Sequence, residues 1–470
     1  MSTQRVLAAL FLAFGGAWLA TAAASGTSLA GPEIVYRGIF IGDTTIPGEQ
    51  KKDWLQPSHP YCWRLSRDRW IWVFQTRGFS GIDAEHSILY QIRRDAPDGP
   101  IVREAVLARF RDDWDPLGEG ARYWKIHGHP KAFGVPQGAL GPGGAVFANG
   151  NVFVAAWYTR ARAVIDGRLL DPHEDAKLEN FHWLEWVHFR LNDAGDDVEL
   201  LTPVTRLRQE GFEDGEAFSS LGPAVKTMNH WARPPEPLDA ARTQWLDTPH
   251  FGPNGIAAIM YEWDAKTQRY EWVKTGPMVK ETGKGKLMEG SINRVSGQWI
   301  LCARDRGHQF SPEVRGFCVA WFRTSDPFAG FGQPTYTAVP SSYCPKIAHF
   351  CPDGVLRILS GDFAASPYGQ KRNPLFCWDV DVGDFSVSNR RTILDAKKEL
   401  GIRYPMVGFA KLSPPDGNRQ ILTFRVTTQN FRHATEKLPA VTEAELAVCG
   451  AHYCEVTYRG KVDQVWEFAE

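Results

Sequence analysis

Glu289 opens the segment Glu289-Gly-Ser-Ile-Asn-Arg-Val-Ser-Gly-Gln-Trp-Ile-Leu-Cys-Ala-Arg304, so an arginine follows a carboxylate fifteen residues later. A hairpin of that length brings its two ends to the same rim. One reading is an acid/base glutamate beside an anion-binding arginine; the other is a surface ion pair. Arg372-Asn373 ends a second stretch, Ser360 to Arg372, just before the apolar run Pro374-Leu-Phe-Cys-Trp378. A guanidinium suits a carboxylate because it donates two parallel hydrogen bonds; a solvated loop arginine is the plain alternative. Tyr404 precedes Pro405 and a further apolar run, where it reads as a packing aromatic or a phenol with a task. A fourth stretch, Ser58-His59-Pro60 to Phe74, leads into a loop holding Asp83 and Glu85, where an acid catalyst would reach a ligand. A rival set is His127-Gly-His129-Pro-Lys131, with Tyr158 and His182 further on. Two histidines two apart share a strand face, which suits a base or a metal site; structural histidines are the other reading.

Short strands must position these groups. Runs such as Trp70–Phe74, Ser87–Ile92, Asn151–Trp157, Trp183–Phe189, Ile256–Tyr261, Gln298–Cys302, Gly316–Phe322, Val355–Leu359, Pro374–Trp378 and Gln420–Phe424 are strand-length, most with turn formers close by. Helical patterns are few: Pro235–Arg242, Asp395–Leu400 and Thr442–Ala447. A strand-turn-strand module recurs at Tyr61–Phe74, Ser291–Leu301, Lys346–Leu359 and Val407–Leu422. Such modules, roughly 50–70 residues apart, predict propeller blades, with a β-sandwich as the alternative. The 18 Trp are expected mainly between blades.

Composition bounds the function. The 470 residues carry 53 Lys+Arg against 54 Asp+Glu, a formal net charge of −1, so no large basic surface for nucleic acid is implied. With 43% apolar and 23% charged residues the chain is globular. Arg5, the apolar run Val6–Phe14 and the small residues Thr21–Ala24 form the pattern of a secretory signal over residues 1–24. The expectation is a single domain over 25–470, secreted or periplasmic, with no membrane attachment after cleavage. All eight Cys lie in that mature part. An even count permits disulfides, with Cys344/Cys351 and Cys449/Cys454 the closest pairs and Cys302/Cys318 on candidate neighbouring strands; buried thiols are the alternative.

In chain order these stretches resemble the sialidase (neuraminidase) superfamily of six-bladed β-propellers. That family opens its first blade with Arg-Ile-Pro and uses an aspartate in the next loop as general acid. A glutamate and an arginine bound a later hairpin, another arginine precedes Asn-Leu, and a tyrosine stands before the last hairpin. This chain offers Asp83, Glu289, Arg304, Arg372-Asn373-Pro-Leu and Tyr404 in that order. At the Arg-Ile-Pro position it has Ser58-His59-Pro60, and Ser-x-Asp-x-Gly-x-Thr-Trp repeats are absent. Arg64, Arg67 and Arg77 are candidates for the missing charge.

The resemblance implies an all-β, six-bladed fold and hydrolysis of a terminal acidic sugar from a glycan. Tyr404 would be the nucleophile, Glu289 its base and Asp83 the acid; Arg304, Arg372 and His59 would hold the substrate carboxylate, with no metal or organic cofactor. A neutral tyrosine avoids the repulsion that a carboxylate nucleophile meets beside a substrate carboxylate. Two alternatives stand beside it: a propeller polysaccharide lyase using His127 or His129 on a uronate polysaccharide, and a non-catalytic glycan-binding propeller.

Overall fold

The computed structural model describes residues 31–50, 58–76, 87–115, 122–165, 168–169, 181–208, 228–229, 233–251, 255–280, 287–305, 318–337, 339, 346–361, 372–428, 441–459 and 466–468. Among them, antiparallel strands follow one another along the chain, and sheets 1 to 5 are each built from one stretch of sequence. Sheet 1 has the order Ser58–Ser66, Arg69–Thr76, Ser87–Arg94, Ile101–Ala108. Sheet 2 is built on Tyr123–Gly134, Phe153–Ile165 and Phe181–Leu191, with shorter strands at its margins. Between 228 and 280 two four-stranded sheets run through the same four passes of chain, interrupted at residues 257–258 in the third pass; we call them sheet 3. Sheet 4 covers Leu287–Val295, Gln298–Asp305, Cys318–Thr324 and Thr335–Thr337, and sheet 5 covers Ile347–Phe350, Leu356–Gly361, Leu375–Val380 and Val387–Leu394. Sheet 6 joins Pro405–Leu412, Arg419–Thr428 and Gly450–Thr457 to Glu33–Ile41, so the first described strand completes the last sheet.

The sequence explains this order. The apolar runs form the second and third strands of the sheets, where both faces are covered. Their neighbours are the adjacent sheets. Leu301 and Phe322 of sheet 4 pack with Leu246 and Ile256 of sheet 3. Trp321 lies flat on Phe385 at 5.0 Å between ring centres, joining sheet 4 to sheet 5. Leu359 and Cys377 of sheet 5 meet Val407 and Phe424 of sheet 6, and Trp72 and Leu89 of sheet 1 meet Ile421 and Tyr453 of sheet 6. A buried aromatic removes about 150–250 Å² from water, at roughly 25 cal/mol per Å². No sheet could keep that gain alone, so the layers stand or fall with their neighbours.

Hydrogen bonds between the sheets run round and return. His129 N donates to Gln75 Oε1 at 2.9 Å (sheets 2 and 1), and Lys131 Nζ donates to Asp247 at 2.7 and 2.8 Å (sheets 2 and 3). Arg233 Nη1 donates to Ile292 O at 3.0 Å (sheets 3 and 4), and Asn293 Nδ2 to Ala348 O at 3.2 Å (sheets 4 and 5). Leu412 N donates to His349 Nε2 at 3.3 Å (sheets 5 and 6), and Thr423 Oγ1 to Pro60 O at 2.9 Å (sheets 6 and 1). Adjacent sheets are thus joined by buried polar groups on their first and second passes as well as by apolar packing.

Two expectations are corrected here. Pro235–Arg242 is no helix: Glu236–Pro237 is a strand and a turn follows, because Pro237 sits in the run and Asp239 caps the turn onto Thr243 and Gln244. The other two helices form, at Ala396–Leu400 capped by Asp395 and Glu443–Ala447 with a Thr442–Glu445 capping box. Of the cysteines, Cys62, Cys302, Cys351, Cys377 and Cys454 are free, buried thiols, and Cys449 is buried as well. The strands bearing Cys302 and Cys318 do pair, but Cys302 stands opposite Trp321, and Cys318 opposite Asp305. Residues 1–24 lie outside the described residues. No helix among the described residues is long and apolar enough to cross a membrane.

Candidate functional site

The first strands carry an unusual backbone. His59, His129, Glu289 and Phe409 all have positive φ, at 51°, 52°, 56° and 57°. Each sits where strand register shifts: between Ser58 and Tyr61, Gly128 and Lys131, Met288 and Ser291, and Gly408 and Lys411. These are β-bulges, which re-aim a side chain. The left-handed conformation costs a residue with a Cβ about 1–2 kcal/mol, and such strain persists where surroundings over-determine it. Sheets 1, 2, 4 and 6 therefore repeat one device at one place.

On sheet 4 the bulge presents Glu289. Met288 pairs with Arg304 on the neighbouring strand, and Arg304 Nη1 donates to both Glu289 carboxylate oxygens, at 2.7 and 2.8 Å. Both side chains are about 95% buried, so the pair is internal and not the surface ion pair of the plain reading (side-chain exposure 6% and 4%).

Arg372 is buried at the start of its described segment, and its carbonyl accepts from Val407 N at 3.0 Å. That bond ties sheet 5 to the strand that Tyr404 introduces. On the other side of Tyr404, Arg403 is fastened to Glu445: its backbone N and Nε donate to Oε1 at 2.9 and 3.0 Å, and Nη2 to Oε2 at 2.6 Å. Those hydrogen bonds hold the Glu445 carboxyl down at about 2. Tyr404 is half-buried between these two anchors.

His59 and His129 come together, although the sequence assigned them to rival sites. Their rings stack at 4.3 Å between centres with a 27° tilt. Both pack on Phe409, at 3.9 and 4.9 Å. The guanidinium carbons of Arg372 and Arg425 stand 5.6 and 4.9 Å from the same phenyl ring. Tyr158 lies 5.1 Å from His129, with Arg160 over its ring at 5.6 Å. Gly128 makes the space, since a Cβ there would lie 2.5 Å from the Tyr158 hydroxyl.

His127 and His129 do not work as one face. The bulge separates their surroundings: His127 bonds Thr159 at 3.0 Å and lies 3.4 Å from Glu185, inside sheet 2. Among the described residues no group of three or more His, Cys, Asp and Glu gathers to hold a metal. Asp83, Glu85 and Arg77 lie outside the described residues. The groups missed by sequence reasoning are the Phe409 platform, Arg425, Arg160 and the pairing of His129 with His59. One signal was present: His-Pro occurs at 59–60, near the start of a strand, and again at 129–130, inside one.

Among solved structures the chain is similar to a protein of unknown function from Dyadobacter fermentans, with a TM-score of 0.54 and 12% identity over 92% of this chain and 100% of that one. It is similar to Trypanosoma rangeli sialidase, with a TM-score of 0.51 and 8% identity over 91% of this chain and 59% of that one. The same sialidase with the inhibitor DANA gives 0.50, at 8% identity over 91% and 60% of the two chains. The chain thus spans about 60% of that sialidase's length. No protein-family model and no curated protein sequence matches it. The fold is the β-propeller fold of the sialidases.

Proposed function

We propose that the protein is a sialidase-like glycoside hydrolase that removes a terminal acidic sugar, sialic acid or a relative, from a glycan. The observation that carries the reading is positional. The buried Glu289–Arg304 pair lies on sheet 4, and Arg372 and Tyr404 stand just before strands of sheets 5 and 6, an order that supports the family resemblance. Sheets 1 to 6 are then six blades closed by the strand Glu33–Ile41, and the sheet-to-sheet hydrogen bonds support that count.

In the proposed mechanism the Tyr404 hydroxyl attacks the anomeric carbon. Phenol is a weak nucleophile at its free pKa of about 10, so Glu289 takes its proton as the bond forms. Asp83 gives a proton to the departing glycosidic oxygen. Water, activated by Asp83, then releases the sugar from Tyr404. Arg304, Arg372 and His59 hold the carboxylate, and the chemistry calls for no metal or organic cofactor. The protein acts outside the cytoplasm after loss of residues 1–24, on glycans and with neither nucleic acid nor membrane as partner.

The test is release of fluorophore from an α-sialoside by the mature chain. Tyr404→Phe and Glu289→Gln are expected to lower kcat by roughly 10²–10⁴, the range for losing a nucleophile's or base's contribution. Absence of turnover by the folded wild type sinks the reading. A second reading is supported by the closeness of His129, Tyr158 and Arg160: a lyase abstracting a proton beside a uronate carboxylate. It predicts an unsaturated, ultraviolet-absorbing product from uronate polysaccharide.

A further inference from the structure

We infer that His129 is a substrate-binding residue, and that it acts with His59 as one stacked imidazole unit which, beside Arg372 and Arg425, reads the carboxylate of the bound sugar. The inference rests on the proposed acidic-sugar substrate but not on the route by which the sugar is cleaved. Three strained bulges from three sheets converge here, at His59, His129 and Phe409. A propeller needs no such bulge merely to close, and sheet 5 has no described positive-φ residue in its first strand.

The backbone behind each imidazole is fixed from a different sheet. Thr423 Oγ1 donates to the carbonyl of Pro60, next to His59, at 2.9 Å. Lys411 Nζ donates to the carbonyl of Pro130, next to His129, at 3.3 Å. Gln75 Oε1 accepts from His129 N at 2.9 Å. Both rings are thereby held against Phe409, and both are about 98% buried. A site held this way meets its ligand pre-organised, with little ordering left to do on binding.

The ligand chemistry follows from the groups present. Two imidazoles and two guanidinium groups gather around one phenyl ring, whose faces favour cations. All four offer N–H donors, and a carboxylate offers acceptor oxygens only. A guanidinium reads a carboxylate with its own fork; two stacked imidazoles supply the equivalent pair of donors from two side chains. The substitution of His59 for arginine is thus completed by His129 on the next sheet.

Binding of N-acetylneuraminic acid and of D-glucuronic acid, each against its methyl ester, tests this by calorimetry on the mature chain. Wild type is expected to prefer at least one acid over its ester by about tenfold or more, the worth of a charge-assisted hydrogen bond. His129→Gln is expected to lose most of that preference, while Gly332→Ala, outside the site, keeps it. A preference unchanged in His129→Gln, or no preference for either acid in wild type, overturns the inference. If His129→Gln does not fold, Arg425→Gln carries the same expectation and the same limits. Acid-selective binding that depends on His129 without sialoside turnover would leave the pair standing and remove the hydrolase reading. Turnover with an unchanged KM in His129→Gln would do the reverse.

Discussion

The Glu289–Arg304 pair and the cluster around Phe409 are built in opposite ways. The first joins two ends of one hairpin, fifteen residues apart, by a charge-assisted bond across a bulge between strands that pair on both sides of it. The second draws one or two residues from each of several sheets and holds them through aromatic contact and carbonyl-directed donors. The first depends on local pairing and on its own two charges. The second exists only once sheets 1, 2 and 6 have docked. The two regions should therefore fail differently: one by leaving a buried charge, the other by losing its shape.

The sharpest break is Glu289→Ala. Arg304 would keep its charge in a site where its side chain is only 6% exposed. Removing one partner of a buried ion pair costs about 3–5 kcal/mol. Urea unfolding should show a loss of that size, and Glu289→Gln, which keeps an acceptor oxygen, a smaller one. Equal and slight losses in both would mean that the pair is not the structural centre of its hairpin.

This difference in construction also decides what was legible beforehand. The strands could be read because their apolar runs must be covered on both faces, and the two short helices because Asp395 and Thr442 announce their N-caps. The approach of Glu289 to Arg304 follows from hairpin length. The stacking of His59 on His129 does not, because they stand seventy positions apart and on different sheets. Two-residue alternation even placed His129 with His127, and only the bulge at His129 undoes that pairing. Bulges leave little mark in a sequence; here the mark is the repeated His-Pro, since proline removes one ladder donor. Pro235–Arg242 failed for a related reason, a periodicity that Pro237 contradicts.

Shape in the second region is tested by Gly128→Ala. The new Cβ would lie 2.5 Å from Tyr158 Cζ and Oη, both deep in sheet 2. Overpacking of this kind costs about 1–3 kcal/mol, and the Tyr158 ring packs on His129 with 5.1 Å between ring centres. Gly332→Ala is the control: its nearest neighbour is Arg323 O at 3.8 Å, and a change within about 0.5 kcal/mol is expected at such a position. If Gly128→Ala matched the control in urea midpoint and in carboxylate binding, the cluster would be far more yielding than its packing implies.

The smallest effect concerns what lies behind the cluster. Burial lowers Lys411 to about 7, helped by the neighbouring ammonium of Lys131. Burial lowers Lys131 to about 8 against the opposing pull of Asp247. Both groups regain an ordinary lysine value, near 10.4, in the unfolded chain. Between these limits the unfolded chain binds more protons than the folded one, so stability rises with pH, from about 7 upward for Lys411 and from about 8 for Lys131. A single such group contributes at most about 1.4 kcal/mol per pH unit. Lys411→Met removes the earlier of the two rises and leaves the later one. Urea midpoints at about pH 6, 7, 8 and 9 should then show the increase between about pH 7 and 8 flattened in the variant. An unaltered slope would mean that Lys411 stays charged in the fold, and that its ammonium is held behind His129 by more than the Pro130 carbonyl.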